Sequence, residues 1–542
     1  MSGVGLAGRQ GFAGVVVVLA SGAVLCGCSV SDPPSPPILG IPQEPNQSGE
    51  QAETDLVVAR TPAGSTNLVV GHRFTGPFFF NNNASSGLDI FYTDQTLDGV
   101  VFRRGSSIMG YSFSQDGGYT WQAPGKVYPQ FVHGEPTALL WSDPALAVGF
   151  TNPSLVAYAS LAVSTSSFDA LTLGTDTEDL LSGWPPDLDT PEDQGIVDSI
   201  CVALSFDGGV NFDNEVVCAR EPDIGLTGTD QTTTAIGAGN RVYVAADDFT
   251  PDEILLYELV YTGVPVPFLK RLPVDAMMLD ASHGPELRRD QGGEVWMSGT
   301  SAGGTIKLCH VTTTGCEFVG DVSSGVDLFA QLPSGVASGE ALRSASSGDF
   351  AVNRLALGDL SVREFIFAYS RSRPTDFSPY VGVTRCFMVS LAGGISCEDV
   401  DAWGTGLRAG MQLQPNIEFV DKSAAQDGSG ADWRYAFYEF ARPEIATAHA
   451  QVTLATLSGP LPASAFPTVG FQPLPGPDPA VCPANYPFSD YWGDYFGLAA
   501  VQNPDQSWRH VAVYSSDEAR GCEPHHPRQA RNLHVVAWGW ND

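Results

Sequence analysis

The stretch "SFSQDGGYTW", residues 112–121, holds Ser114, Asp116, Gly118, Thr120 and Trp121. Further along, "LSFDGGVNF", residues 204–212, repeats the pattern with Ser205, Asp207, Gly209, Asn211 and Phe212 at the same offsets. The chemistry of these residues favours a scaffold over an active site. A short aspartate can accept hydrogen bonds from backbone N–H groups of a tight turn. Glycines supply positive φ there, and the closing aromatic buries a large apolar area. Asp116 and Asp207 are therefore expected to hold turns together.

Around these stretches an apolar strand, a short turn and a stronger apolar or aromatic strand recur. The pattern appears in "DPALAVGFTNPSLVAYASLAV", "TTTAIGAGNRVYVAADDF", "GPELRRDQGGEVWMSGTS" and "NRLALGDLSVREFIFAYSR". It returns in "QPNIEFVDKSAAQDGSGADWRYAFYEF" and "YFGLAAVQNPDQSWRHVAVYSSD", with "DLVVARTPAGSTNLVVGHRF" as a weaker first copy. The runs are short and β-branched, and the 59 glycines and 39 prolines favour turns over helices. Four strands per unit at roughly seventy-residue spacing predict an all-β fold, a β-propeller of four-stranded blades. Six or seven blades fit the length, and seven fits the copies better.

The first motif resembles the Asp-box, Ser-x-Asp-x-Gly-x-Thr-Trp, of bacterial neuraminidase (BNR) repeats, which occur in sialidases and other secreted propellers. The second departs from it, with Asn211 and Phe212 in place of threonine and tryptophan. The openings "SDPALAV", "TDQTTTAI" and "WGDYFGLA" are also similar to strand openings of such propellers. The resemblance implies a sialidase-like fold over most of the chain, with the box on the blade periphery, away from any ligand. It does not carry over the catalytic residues. The family's arginine motif, Phe/Tyr-Arg-Ile-Pro, has no match, and Arg73 in "GHRFTG" is the nearest first-blade counterpart.

The net charge is −34 over 542 residues, which disfavours nucleic acid and anionic membrane surfaces as partners. An apolar stretch from Gly11 to Leu25 follows Arg9 and ends in "LCGC", residues 25–28. That reads as a secretory leader, 1–27, with Cys28 as the lipidated residue of a lipobox. Ser29 after it resembles an outer-membrane sorting signal. The expectation is therefore a lipid-anchored protein of the bacterial outer membrane or cell surface, with secretion as the fallback and a monomer as the state. A proline-rich tether, 28–52, would reach about 75 Å if extended, ahead of a propeller at 53–542.

Eight further cysteines suit disulfides in an oxidising compartment. Their spacing argues for Cys201–Cys218, Cys309–Cys316 and Cys386–Cys397, each pair bracketing a hairpin, with Cys482 and Cys522 left for each other. Zinc is the competing reading, but the chain has no CxxC pair.

In a propeller the innermost strands line the channel, so polar residues at their openings are the site candidates. They are Asp143, Asp230, His283, Glu286, Gln414, Asn416, Asp494 and Tyr495. The set is rich in carboxylates and has no arginine, which suits a sugar hydroxyl or a calcium ion better than an anionic sugar; no other cofactor is expected. These groups could equally satisfy one another. Two functions follow: non-catalytic binding of a glycan or protein partner on the channel face, or a sialidase-like glycoside hydrolase with displaced catalytic residues.

Overall fold

Short runs of Val, Ile, Leu and aromatic residues, each bounded by a Gly, Asp or Asn turn, fold as strands, and no α-helix occurs among the described residues. The computed structural model describes residues 39–40, 50–75, 96–97, 100–101, 106–107, 109–122, 125–127, 132–133, 138–164, 199–212, 216–220, 229–248, 253–281, 283–326, 348–357, 360–373, 379–390, 393–399, 411–420, 432–440, 450–458, 468–473, 497–502, 508–516 and 534–541.

These strands form antiparallel four-stranded sheets in chain order, the blades of a β-propeller. Numbered by their innermost strands, they are sheet 1 (Glu50–Arg60), sheet 2 (Ala138–Val148), sheet 3 (Thr229–Ile236), sheet 4 (His283–Arg289), sheet 5 (Asp349–Leu357), sheet 6 (Met411–Val420) and sheet 7 (Gly497–Gln502). Sheet 2 carries two extra short parallel strands, Ser106–Ser107 on its inner edge and Val132–His133 on its outer edge. Each innermost strand lies beside the next, and that of sheet 7 returns to sheet 1.

The core lies between the sheets. Val69, Tyr158, Phe212 and Leu255 belong to one cluster across sheets 1 to 3. Trp296, Phe350 and Phe365 join sheets 4 and 5, and Leu68, Val70, Val511 and Val513 join sheets 1 and 7. First turns also grip neighbouring sheets between sheets 1 and 2, 3 and 4, and 4 and 5. The Arg60 N–H donates to Pro153 O at 2.9 Å, Ala238 N–H to Gly293 O at 2.8 Å, and Arg354 N–H to Gln291 Oε1 at 2.6 Å.

The innermost strands of sheets 1, 2, 3, 4 and 6 share a register break near their openings, between Ala52/Thr54, Ser142/Ala145, Asp230/Thr233, His283/Glu286 and Leu413/Asn416. In sheets 2 to 4 a left-handed residue stands in the break: Asp143 (φ 54°), Gln231 (φ 48°) and Gly284 (φ 55°). Pro144, Pro285 and Pro415 also sit in these breaks, where the ladder is already interrupted and the missing N–H is tolerated.

Strand pairing also reaches further toward the N-terminus than the sequence pattern suggests. Leu39–Gly40, inside the expected tether, pairs with Ala537 and Val536 as the outer strand of sheet 7. The strand of sheet 1 begins at Glu50 rather than 53. Residues 29–38 are all that separate Cys28 from the paired Leu39, about 31 Å at full extension rather than about 75 Å. Three of the expected disulfides are present: Cys201 and Cys218, and Cys386 and Cys397, are direct cross-strand partners, and Cys309, opposite Phe318, bonds diagonally to Cys316. All three disulfides join the third and fourth strands of a sheet. Cys28, Cys482 and Cys522 lie outside the described residues.

Candidate functional site at the channel

The two Asp-box turns consume their own polar groups. Asp116 accepts from Ser114 Oγ (2.8 Å), Tyr119 N (2.9 Å), Thr120 N (2.8 Å) and Thr120 Oγ1 (2.6 Å). Asp207 accepts from Ser205 Oγ (2.7 Å), Val210 N (3.0 Å) and Asn211 N (3.0 Å). Asn211 Nδ2, at 2.7 Å, supplies the bond that Thr120 makes in the first box. Burial alone would raise both carboxyls, but these donors more than offset it and hold them below the usual range. Each turn docks on the preceding sheet. Phe212 packs edge-on to Tyr111 at 4.9 Å and Tyr158 at 5.5 Å, and Arg509 of sheet 7 lies 3.7 Å from the ring centre of Tyr119.

On the innermost strands, charged side chains of sheets 4 and 5 meet, with Thr233 of sheet 3 beside them. Arg288 donates to Glu286 Oε2 at 3.1 Å and to Asp349 Oδ1 at 2.5 Å. Thr233 Oγ1 donates to Glu286 Oε2 at 3.3 Å while accepting the Leu287 N–H at 3.0 Å. Asp55 and Asp349 are built alike. One oxygen of each takes the N–H of its own following residue, Leu56 or Phe350, at 2.7 Å. The other takes an N–H from the next sheet, Leu146 at 2.6 Å or Ile417 at 3.0 Å. Glu418 likewise accepts the Ala500 N–H at 2.6 Å. Polar side chains thus stitch successive inner strands together where no ladder can.

The Glu286 and Arg288 side chains are 28% and 31% exposed, so this pair is open to solvent while Asp349 beside it is not. Burial pushes the Glu286 carboxyl up to about 8; Arg288 opposes this, while Asp349 and Asp55 add to it. Burial lifts Asp55 to about 6 against the Leu146 and Leu56 bonds. Asp349 is raised by the same cause, and the three acids outweigh burial in keeping Arg288 protonated. Carboxyls perturbed by burial and a specific charge partner make this cluster a candidate functional site.

Of the sequence candidates, Glu286 belongs to this cluster. Asp143 is buried in its bulge, where it accepts the Gln231 N–H at 3.2 Å and its carbonyl takes the Thr232 hydroxyl. His283 and Asn416 flank the equivalent bulges and are half-buried. The side chains of Asp230 and Gln414, and all of Asp494 and Tyr495, lie outside the described residues. Sequence reasoning missed Asp55, Arg288 and Asp349, which stand one to a few residues inside the openings. Their signal is an ionisable residue within an apolar run, in "TDLVVA", "PELRR" and "GDFAV". Other arginines are engaged elsewhere: Arg289 with Val148 O (2.8 Å) and Ile236 O (3.1 Å), Arg363 with Asp290 and Glu294, and Arg385 with Glu364. Among the described residues no group of histidine, cysteine and acidic side chains is placed to hold a metal ion.

No protein-family model matches the chain, and no curated protein matches it. Among solved structures, a protein of unknown function from Dyadobacter fermentans is 13% identical, covering 93% of this chain and 98% of its own, with a TM-score of 0.37. A NanB sialidase from Streptococcus pneumoniae is 9% identical over 93% of this chain and 70% of its own, with a TM-score of 0.38. An intramolecular trans-sialidase from Ruminococcus gnavus is 10% identical over 71% and 89%, with a TM-score of 0.37. The propeller assignment rests on the sheet topology described above.

Proposed function

We propose that this is a seven-bladed, BNR-type, sialidase-like propeller, exported and anchored through Cys28, that binds a carbohydrate at the strand-opening mouth of its channel. The seven successive sheets and the two Asp-box turns support the fold reading, and three disulfides suit an oxidising compartment. The observation that carries the function is the polar set of Asp55, Thr233, Glu286, Arg288 and Asp349 on the innermost strands, of which Glu286 and Arg288 are partly exposed while Thr233 and Asp349 are buried. Directed donors and acceptors on a rigid ring are what fix the orientation of a polyhydroxyl ligand.

A second reading, a glycoside hydrolase, draws on one feature of the same set. A carboxyl raised to about 8 stays protonated at neutral pH and could donate to a leaving oxygen, with Asp55 as the second carboxyl. Screening the purified protein on a glycan array and against fluorogenic glycosides separates the two. Saturable binding without turnover supports the binding protein. Turnover abolished by Glu286→Gln supports the hydrolase, and neither binding nor turnover would refute the carbohydrate reading.

A further inference from the structure

The geometry points to a channel that selects against acidic sugars, an inference that rests on the carbohydrate reading above and narrows it. An arginine fork is the natural partner of a sugar carboxylate. Arg288 is already held from two sides. Its Nη1 serves Glu286 Oε2 at 3.1 Å and Leu287 O at 3.0 Å, and its Nη2 serves Asp349 Oδ1 at 2.5 Å. An incoming carboxylate would have to share this guanidinium with two acids already on it, one of them only 4% exposed and dependent on it as a charge partner.

The surrounding charge has the same sign. Asp55 acts on this cluster from sheet 1. Three carboxyls, Asp55, Glu286 and Asp349, act on the single guanidinium. The net charge of −34 adds long-range repulsion of anions. Sugar hydroxyls can donate to these carboxyls without displacing Arg288, and a free amino group would gain further from the negative potential. The ligand class is therefore a glycan without acidic groups.

The test uses matched pairs on an array: sialylated glycans beside their desialylated counterparts, glucuronate-ended beside glucose-ended oligosaccharides, and chitosan beside N-acetylated chitin oligomers. For the wild-type protein the acid-free member should bind at least about tenfold better, and chitosan at least as well as chitin. Combining Glu286→Gln with Asp349→Asn frees Arg288, and the discrimination against acids should shrink by about tenfold. The wild-type comparison stands even if that variant fails to fold. Tighter binding of the acidic member would overturn this inference and leave the carbohydrate reading intact. An array on which nothing binds would overturn the carbohydrate reading, and this inference with it.

Discussion

The two Asp-boxes present the same glycine in unequal space, and that inequality can be measured. Gly118 and Gly209 occupy the same motif position at φ 89° and 80°. Alanine at either position suffers left-handed strain of about 1–2 kcal/mol, partly offset by roughly 0.4–1 kcal/mol from a less flexible unfolded chain. At Gly118 the new Cβ meets the end of the Leu68 side chain at 3.2 Å and Val511 at 3.5 Å, contacts that small shifts relieve. At Gly209 it meets Val69 Cγ2 at 2.3 Å and Cγ1 at 2.9 Å, inside the wholly buried seam between sheets 1 and 2. Overpacking of that kind adds about 1–3 kcal/mol. Gly118→Ala should therefore cost about 1 kcal/mol and Gly209→Ala about 2–4 kcal/mol. Thermal melts of both variants, with hydrogen exchange at the sheet 1–2 seam, provide the readout. Val69→Ala removes both clashing methyls, so in the Gly209→Ala background it should cost less than in the wild type. Equal losses from the two glycine variants, or strict additivity with Val69→Ala, would refute the proposed docking of this turn.

Other expectations concern charge, cross-links and anchoring. Glu286 and Asp55 have folded-state pKa values of about 8 and about 6, above their unfolded values. Their contribution to stability is therefore present below about pH 4 and lost as the pH rises through those values. The buried His72 and His310, held below the usual imidazole range, act in the opposite direction up to about pH 6.5, so melting temperature should fall between about pH 7 and 8.5, and Glu286→Gln should flatten that fall; an unchanged profile would contradict the raised carboxyl. Non-reducing peptide mapping should find Cys201–Cys218, Cys309–Cys316 and Cys386–Cys397. Replacing the first pair by serine should destabilise the protein by about 3 kcal/mol, as a closed loop of this length implies. Cys28→Ser should move the protein from the membrane to the soluble fraction, and continued membrane association would exclude the lipid anchor.

Much of this molecule was legible from short range. Strands follow from period-2 runs of β-branched residues. The Asp-box turns follow from acceptors and glycines a few positions apart, so Asp116 and Asp207 could be assigned to scaffold before any coordinates were known. The three disulfides were readable because each joins neighbouring strands of one hairpin. All of these depend on interactions closed within about twenty residues, where local chemistry decides the geometry.

The channel depended on more distant relations. Asp55, Glu286, Arg288 and Asp349 come from sheets 1, 4 and 5, and only the curvature of the ring brings them together. The reading of strand openings reached Glu286 but stopped short of its partners. The bulges at Asp143, Gln231 and Gly284 shift which residue faces the channel, and a one-residue shift turns a side chain to the opposite face. Closure was equally hidden, because Leu39–Gly40 reads as part of a proline-rich tether until Val536 and Ala537 lie beside it. By itself the sequence determined the strands, the turns and the cross-links, whose energies are local. Only the tertiary structure decided which charges share a channel and where the ring is sealed, because those contacts join residues hundreds of positions apart and depend on the summed angles of every intervening blade.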